Sequence, residues 1–364
     1  MAEVNPIEVK ANDSNRVSVY TATSRLRTKV IERRRADQHG MLRTVSMFAA
    51  VAEAINTLIT PDIEFRDMQV TGTFCNFCGA WLAGLSALLI FGASSKALSD
   101  AFRGGFVAAY TSFTHMVEHS SRLHCGRAAD SSSHFYLVMS LLGGPIFYQL
   151  GCHTGEIAKR LMGRGIKERM DSMTEETVLK RARHVLITLI LVSLALAAFR
   201  GGLQAALELC IGMLMAAFAC YSGDIVALAV IELTNEVETE TNSVNWGTIG
   251  CNFAALLIVN IIEYSGTLFG AILPAFGLII VDKIRTSFCG ALSAFGGYSE
   301  DVVDALSKGK IGVAAANLGM HALIVLLAIA FLSHAQCPLS MGLLLPILIG
   351  SLTLYGLDYL LSSL

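Results

Sequence analysis

The sequence predicts an all-α integral membrane protein of about ten transmembrane helices, arranged as two inverted-topology repeats with broken third helices. Three observations carry this expectation. Only 15% of the 364 residues are charged and 54% are apolar, against about 25% charged in a soluble domain, and the mean hydropathy is +0.57. Five runs, 68–95, 131–155, 241–262, 264–281 and 311–357, contain no Asp, Glu, Lys or Arg. A short polar motif also recurs in the two halves of the chain.

In chain order the apolar segments place helices near 44–61, 68–93, 101–121, 133–158, 183–200, 203–233, 245–268, 272–304, 310–335 and 339–361. The run 311–357 is long enough for two spans at about 20 residues each, with Pro338 between them. Basic residues divide the chain further, because 17 of the 27 Lys and Arg fall in 1–43 and 156–184. If the tail 1–43 is cytosolic, four crossings return the chain to the cytosol at the second basic cluster, so one assignment satisfies the positive-inside rule twice. The acidic loop Glu232 to Glu240 falls inside too, at little cost. The resulting organisation is a basic cytosolic tail 1–43, a four-helix repeat 44–161, a basic loop and linker helix 162–202, a second four-helix repeat 203–336 and a C-terminal helix 337–364. No cleavable signal peptide is expected from the polar, basic first 40 residues, and the first hydrophobic helix serves as the insertion signal.

The formal charge of −2 argues against a nucleic-acid partner, which selects for basic surplus. Enzyme motifs are lacking: no Gly-x-Ser-x-Gly elbow, His-Glu-x-x-His or phosphate-binding loop is present, and catalysis is not expected. Of the nine cysteines, Cys75, Cys78, Cys210, Cys220, Cys251 and Cys289 lie in apolar segments and read as small buried hydrophobes. Cys75-Asn76-Phe77-Cys78 has metal-ligand spacing, but no second pair accompanies it.

The internal echo begins with Gly72-Thr73-Phe74-Cys75-Asn76-Phe77 and Gly247-Thr248-Ile249-Gly250-Cys251-Asn252-Phe253. Each Asn is followed, 37 and 43 residues on, by Phe113 or Phe295 at the end of a stretch rich in small and hydroxyl residues, 105–113 and 287–295. Two such units separated by five helices sit in opposite orientations in the bilayer, the signature of transport proteins. Helix breaks at membrane depth survive only where the freed backbone lines a cavity or binds an ion. The stretches 105–114 and 287–297 are therefore candidate breaks, able to point four carbonyls at one central cation, with close helix packing through small residues as the other reading.

Asn76 and Asn252 carry strong amide donors that suit an anion or an interhelical hydrogen bond. Glu53 and Asp224 occupy similar positions in their repeats and mark a pathway or a paired charge. His115 and His119 share a helical face without a completing carboxylate, and Glu118 and Glu300 each follow a Phe by five residues, at a helix end.

At these residues the chain resembles the CrcB/Fluc fluoride channels, and among them the fused two-domain eukaryotic fluoride export proteins. Their pattern, roughly Gly-Thr-Leu-x-x-Asn-x-x-Gly followed by Gly-Phe-Cys-Gly-Gly-x-Thr-Thr-Phe-Ser-Thr-Phe, is best echoed by Gly247-Thr248-Ile249, Asn252, Phe288-Cys289-Gly290-Ala291-Leu292-Ser293-Ala294-Phe295 and Tyr298-Ser299-Glu300. Gly309-Lys310-Ile311-Gly312 and Asn317 fit the start of the family's fourth helix, and the first repeat keeps Asn76-Phe77-Cys78-Gly79 and Thr111-Ser112-Phe113.

The resemblance implies an antiparallel pair of four-helix units joined by a linker helix, here 183–200, so that one chain acts as a pseudo-dimer in the plasma membrane with its N-terminus cytosolic. It implies no cofactor beyond a structural sodium ion, held by the backbone carbonyls of Ala108, Thr111, Gly290 and Ser293. Fluoride would shed its water onto Asn76 and Asn252, the ring edges of Phe113 and Phe295, and the nearby hydroxyls of Thr111, Ser112 and Ser293, with Tyr298 and Asn317 also on the pathway. The family's second Phe is Met116 in one repeat and Tyr298 in the other. Met116 lacks an aromatic edge, the family's first-helix Arg is absent with Glu53 and Asp224 near its place, and helix 339–361 is extra. One of two fluoride tracks is thus expected to be degraded. The competing expectation is a proton-coupled secondary transporter of five-plus-five inverted repeats, resembling the drug/metabolite transporters, with Glu53 or Asp224 as the coupling group.

Overall fold

The structure is a computed structural model that describes residues 40–59, 64–65, 68–88, 93–125, 132–162, 168, 172–234, 244–265, 272–293 and 295–332. The basic tail up to residue 39 and the expected helix 339–361 lie outside the described residues. What is described is helical apart from a two-residue antiparallel pair, β1 (Glu64–Phe65) and β2 (Met68–Gln69).

The first helix, α1, covers 40–58. It is followed by α2 (Val70–Leu88) and α3 (Ala93–Ala101), which runs through a π-helical turn, Phe102–Val107, into the short turn Ala108–Tyr110. Then come α4 (Phe113–Cys125), α5 (Ser132–Leu161) and the long α6 (Glu175–Thr234). The second half continues with α7 (Trp246–Tyr264) and α8 (Ala275–Lys283), which passes through a second π-helical turn, Ile284–Phe288, into Cys289–Leu292. It closes with α9 (Phe295–Ser307) and α10 (Ile311–Leu332).

Elements recur in order and length. α2 and α7 are both 19 residues, α3 and α8 both 9, and α4 and α9 both 13. Ala93 and Ala275, Phe102 and Ile284, and Phe113 and Phe295 are each 182 positions apart, so the π-turns fall at matching places. The expected border between helices 183–200 and 203–233 appears inside α6 as two non-helical residues, Gly201 and Gly202, the latter at φ 72°. That left-handed backbone costs a glycine nothing and other residues about 1 kcal/mol or more.

Side-chain size decides how closely the helices approach. α2 and α5 cross with their backbones touching: a Cβ on Gly84 would fall on the Tyr148 carbonyl and one on Gly151 on the Trp81 carbonyl. Trp81 Nε1 donates to Thr154 Oγ1 at 3.3 Å along the same seam. Small-residue contact of this kind is how helices associate where lipid removes the hydrophobic driving force.

Three helical segments are long and apolar enough to cross a membrane among the described residues: Glu175–Ala227, Trp246–Glu263 and Ile311–Ile329. The first is only 11% buried in its most apolar window, and Phe199, Leu203 and Leu214 on it stand open. Apolar exposure on this scale calls for a lipid or protein cover. The fold is that of an all-α, membrane-protein-like chain.

Candidate functional site

Two interruptions of the helical backbone face one another at the centre of the molecule. After Tyr110 the chain becomes extended at Thr111 (φ −101°, ψ 147°), and after Leu292 it does so at Ser293 (φ −83°, ψ 102°). Each interruption follows a π-helical turn, a geometry that frequently accompanies functional sites.

An interrupted helix exposes N–H groups at the start of its next segment, and here each break supplies the cap for the other. Ser293 Oγ accepts from the N–H of Phe113 at 3.1 Å and of Thr114 at 3.3 Å, and donates to the Gly290 carbonyl at 2.9 Å. Thr111 Oγ1 accepts from the Gly296 N–H at 3.3 Å and donates to the Val107 carbonyl at 2.8 Å. Both hydroxyl residues are fully buried. Substituting Ser293→Ala leaves buried N–H groups without an acceptor, a loss of about 1–3 kcal/mol. The expected readout is a lower midpoint of thermal unfolding in detergent, and an unchanged midpoint would contradict the reciprocal cap.

Asn76 latches the first break. Its Nδ2 donates to the Ser112 carbonyl at 3.1 Å and its Oδ1 accepts from the Ser112 N–H at 2.7 Å. One amide N–H of Asn76 is left over from that pair. Ser112 Oγ shares a hydrogen bond with Thr114 Oγ1 at 2.9 Å and accepts from the His115 N–H at 3.0 Å. Asn76, Ser112, Glu53, His115, His119 and Asp282 line a cavity of about 460 Å³.

Asn252, the counterpart of Asn76, is placed differently. Its Nδ2 lies 2.9 Å from His321 Nε2, and His321 Nδ1 lies 2.7 Å from the Asn317 carbonyl. A carbonyl only accepts, so the Nδ1 carries the proton and the Nε2 receives the Asn252 amide. The Oδ1 atoms of Asn252 and Asn317 are buried without a partner among the described residues. Phe113 and Tyr298 complete this cluster at ring separations of 5.4 Å and 4.5 Å from His321. Tyr298 also lies 6.0 Å from Phe295, and its hydroxyl donates to the Leu141 carbonyl at 2.8 Å. Met116 is buried in the same core.

The four carbonyl residues divide between the breaks. Gly290 faces Ser112, whose Oγ would stand 3.5 Å from a Cβ there, and its carbonyl and that of Ser293 each already accept one hydrogen bond, from Ser293 Oγ and the Phe295 N–H. Ala108 lines a second cavity of about 320 Å³ with Arg103, Asp224, Cys251 and Glu300.

The carboxylates expected at a pathway each face one cavity: Glu53 the larger, where its Oε1 accepts from Ser287 Oγ at 2.7 Å, and Asp224 the smaller. His119 packs against the Tyr136 ring at 4.8 Å. Among the described residues no group of three His, Cys, Asp or Glu is placed to hold a metal; Cys75 and Cys78 are not in a disulfide, and Cys75 Sγ donates to Asn56 Oδ1 at 3.9 Å.

Sequence reasoning passed over two ion-pair clusters and His321. Arg103 pairs with Asp100 at 2.7 Å and with Glu300 from the other half of the chain. Arg285 pairs with Asp282 at 3.2 Å and Glu263 at 2.6 Å, with Glu118 near enough to interact electrostatically. The signal was present as Asp-x-x-Arg standing ten residues before each Phe. His321 offered none, being a lone histidine on an apolar helix. Compared with known proteins, the chain matches no family model, no curated protein and no solved structure.

Proposed function

We propose that the chain is a passive, selective fluoride channel of the plasma membrane that exports fluoride from the cytosol. The observation that carries this reading is the pair of interrupted helices whose buried hydroxyls cap one another across the two halves. Broken backbone at membrane depth is stable only around a cavity or an ion, and breaks in both halves of an inverted repeat mark the transport site. On this reading α1 to α5 and the second part of α6 with α7 to α10 are the two oppositely oriented units, and the first part of α6 joins them.

A small anion gives up its hydration only to strong donors already fixed in place. Asn76 offers one unspent N–H at the wall of the larger cavity, and the edge of an aromatic ring carries positive charge density, which Phe113 and Phe295 would supply. Hydrogen fluoride that crosses the bilayer dissociates in the more neutral cytosol, and the negative potential inside drives the trapped anion out through such a pore. No ATP site is required.

The reading includes a sodium ion between the breaks, bound by the carbonyls of Ala108, Thr111, Gly290 and Ser293. Neutral oxygen donors suit a hard cation, and the Gly290 and Ser293 carbonyls keep a second lone pair beyond the hydrogen bond each accepts. A bound sodium would neutralise the dipoles of those carbonyls, while the hydroxyls of Thr111 and Ser293 hold the two segments together.

A second reading, a proton-coupled transporter, draws on the placement of Glu53 and Asp224 at the two cavities. It predicts that Glu53→Gln or Asp224→Asn abolishes transport driven by a pH gradient. The channel reading predicts that expression of the chain restores growth to cells without their own fluoride exporter at fluoride levels that arrest them. Failure of membrane-inserted protein to do so would contradict it.

A further inference from the structure

The two halves repeat their elements but differ at the position where an anion would meet Asn252. We infer that His321 plugs the track through Asn252, so that only the track through Asn76 conducts; the inference rests on the fluoride-channel reading.

The imidazole of His321 stands between the donor and the rings that would form the second track. It receives the Asn252 amide on Nε2 at 2.9 Å, and lies 5.4 Å from the Phe113 ring and 4.5 Å from that of Tyr298. All four side chains are 0% exposed, so the space between them is filled. Its orientation is fixed, because the Nδ1 proton is held by the Asn317 carbonyl at 2.7 Å. The Nε2 lone pair therefore faces Asn252, consuming a donor and presenting an acceptor where an anion needs a donor.

In the first half the amide of Asn76 is held by the Ser112 backbone and not by a histidine ring. The ring matching Phe113 is Phe295, and it rests against Gly144, where a Cβ would come within 2.8 Å of it. Asn76 opens onto the cavity of about 460 Å³, whereas the smaller cavity is lined by Cys251 and stops short of Asn252. The sequence placed the defective track at Met116. The packing places the barrier on the side of Tyr298.

The test is fluoride efflux from proteoliposomes carrying the full chain as wild type, Asn76→Asp, His321→Ser and the double variant. Asn76→Asp closes the open track, and adding His321→Ser is expected to raise efflux about tenfold or more above Asn76→Asp alone by freeing the Asn252 donor. His321→Phe in the same background keeps the bulk and is expected to give no recovery. Absence of recovery in the double variant, while His321→Ser alone conducts like wild type, would overturn the plug and leave the channel reading standing. Recovery with His321→Phe would overturn the plug as well. Efflux lacking in the wild type would overturn both. If His321→Ser elutes as aggregate on size exclusion, His321→Asn replaces it with the same outcomes.

Discussion

Replacing Asn76 by Asp lowers fluoride efflux by at least about 100-fold, the equivalent of about 3 kcal/mol, while Asn252→Asp leaves it within about threefold. The asymmetry follows from what each amide does. Asn76 holds the Ser112 backbone from both sides and still has an N–H at the wall of the larger cavity. A carboxylate there loses both N–H groups, leaves the Ser112 carbonyl unpaired and sets a negative charge on the path of an anion, a repulsion of about 4 kcal/mol at close range in a partly solvated site. Asn252 spends one amide N–H on His321 and lines neither of the two cavities described above. Initial efflux rates of the two variants, each checked for folding by size exclusion, decide the point. Equal losses would contradict an asymmetric pore.

Gly151→Val removes folded protein altogether. The α2–α5 crossing brings Gly151 onto the Trp81 carbonyl and Gly84 onto the Tyr148 carbonyl, and neither carbonyl can move without breaking its own helix. Overpacking ordinarily costs about 1–3 kcal/mol when side chains can adjust, and a backbone obstacle exceeds that range. Gly84→Val is expected to behave alike. Gly72→Ala, in the same helix with open space around it, is the control: it retains the fold and can gain up to about 1 kcal/mol from helix propensity. A Gly151→Val chain that is monodisperse in detergent with an unchanged melting midpoint would refute the close crossing.

Much of the local architecture was legible in the residues, because its causes are local. The expected helices 133–158 and 245–268 lie close to α5 and α7, whereas the one expected from 101 already begins at Ala93 and the one expected over 272–304 is interrupted at Ser293. Gly201 and Gly202 marked the interruption of α6, and Thr111-Ser112-Phe113 marked the first break. The π-helical turns were hidden: Phe102–Val107 and Ile284–Phe288 share an Arg and a Phe at matching positions, but neither residue type marks a π-turn. Long-range chemistry was hidden as well: Ser293 caps Phe113 across 180 residues, and no pattern within one segment announces that. The repeated Asp-x-x-Arg could have exposed Arg103 and Arg285, but those charges lay outside the apolar motif that drew attention. His321 became meaningful only through Asn252, Phe113 and Tyr298, which three different helices bring to it.

The measurement that bears most directly on a fluoride pore is efflux from proteoliposomes of the purified chain under an imposed potential and no pH gradient, followed with fluoride and chloride electrodes in parallel. The account predicts rapid fluoride release with no chloride release. Release of neither ion, or movement of fluoride only when a pH gradient is applied, would contradict it and turn the search to Glu53 and Asp224.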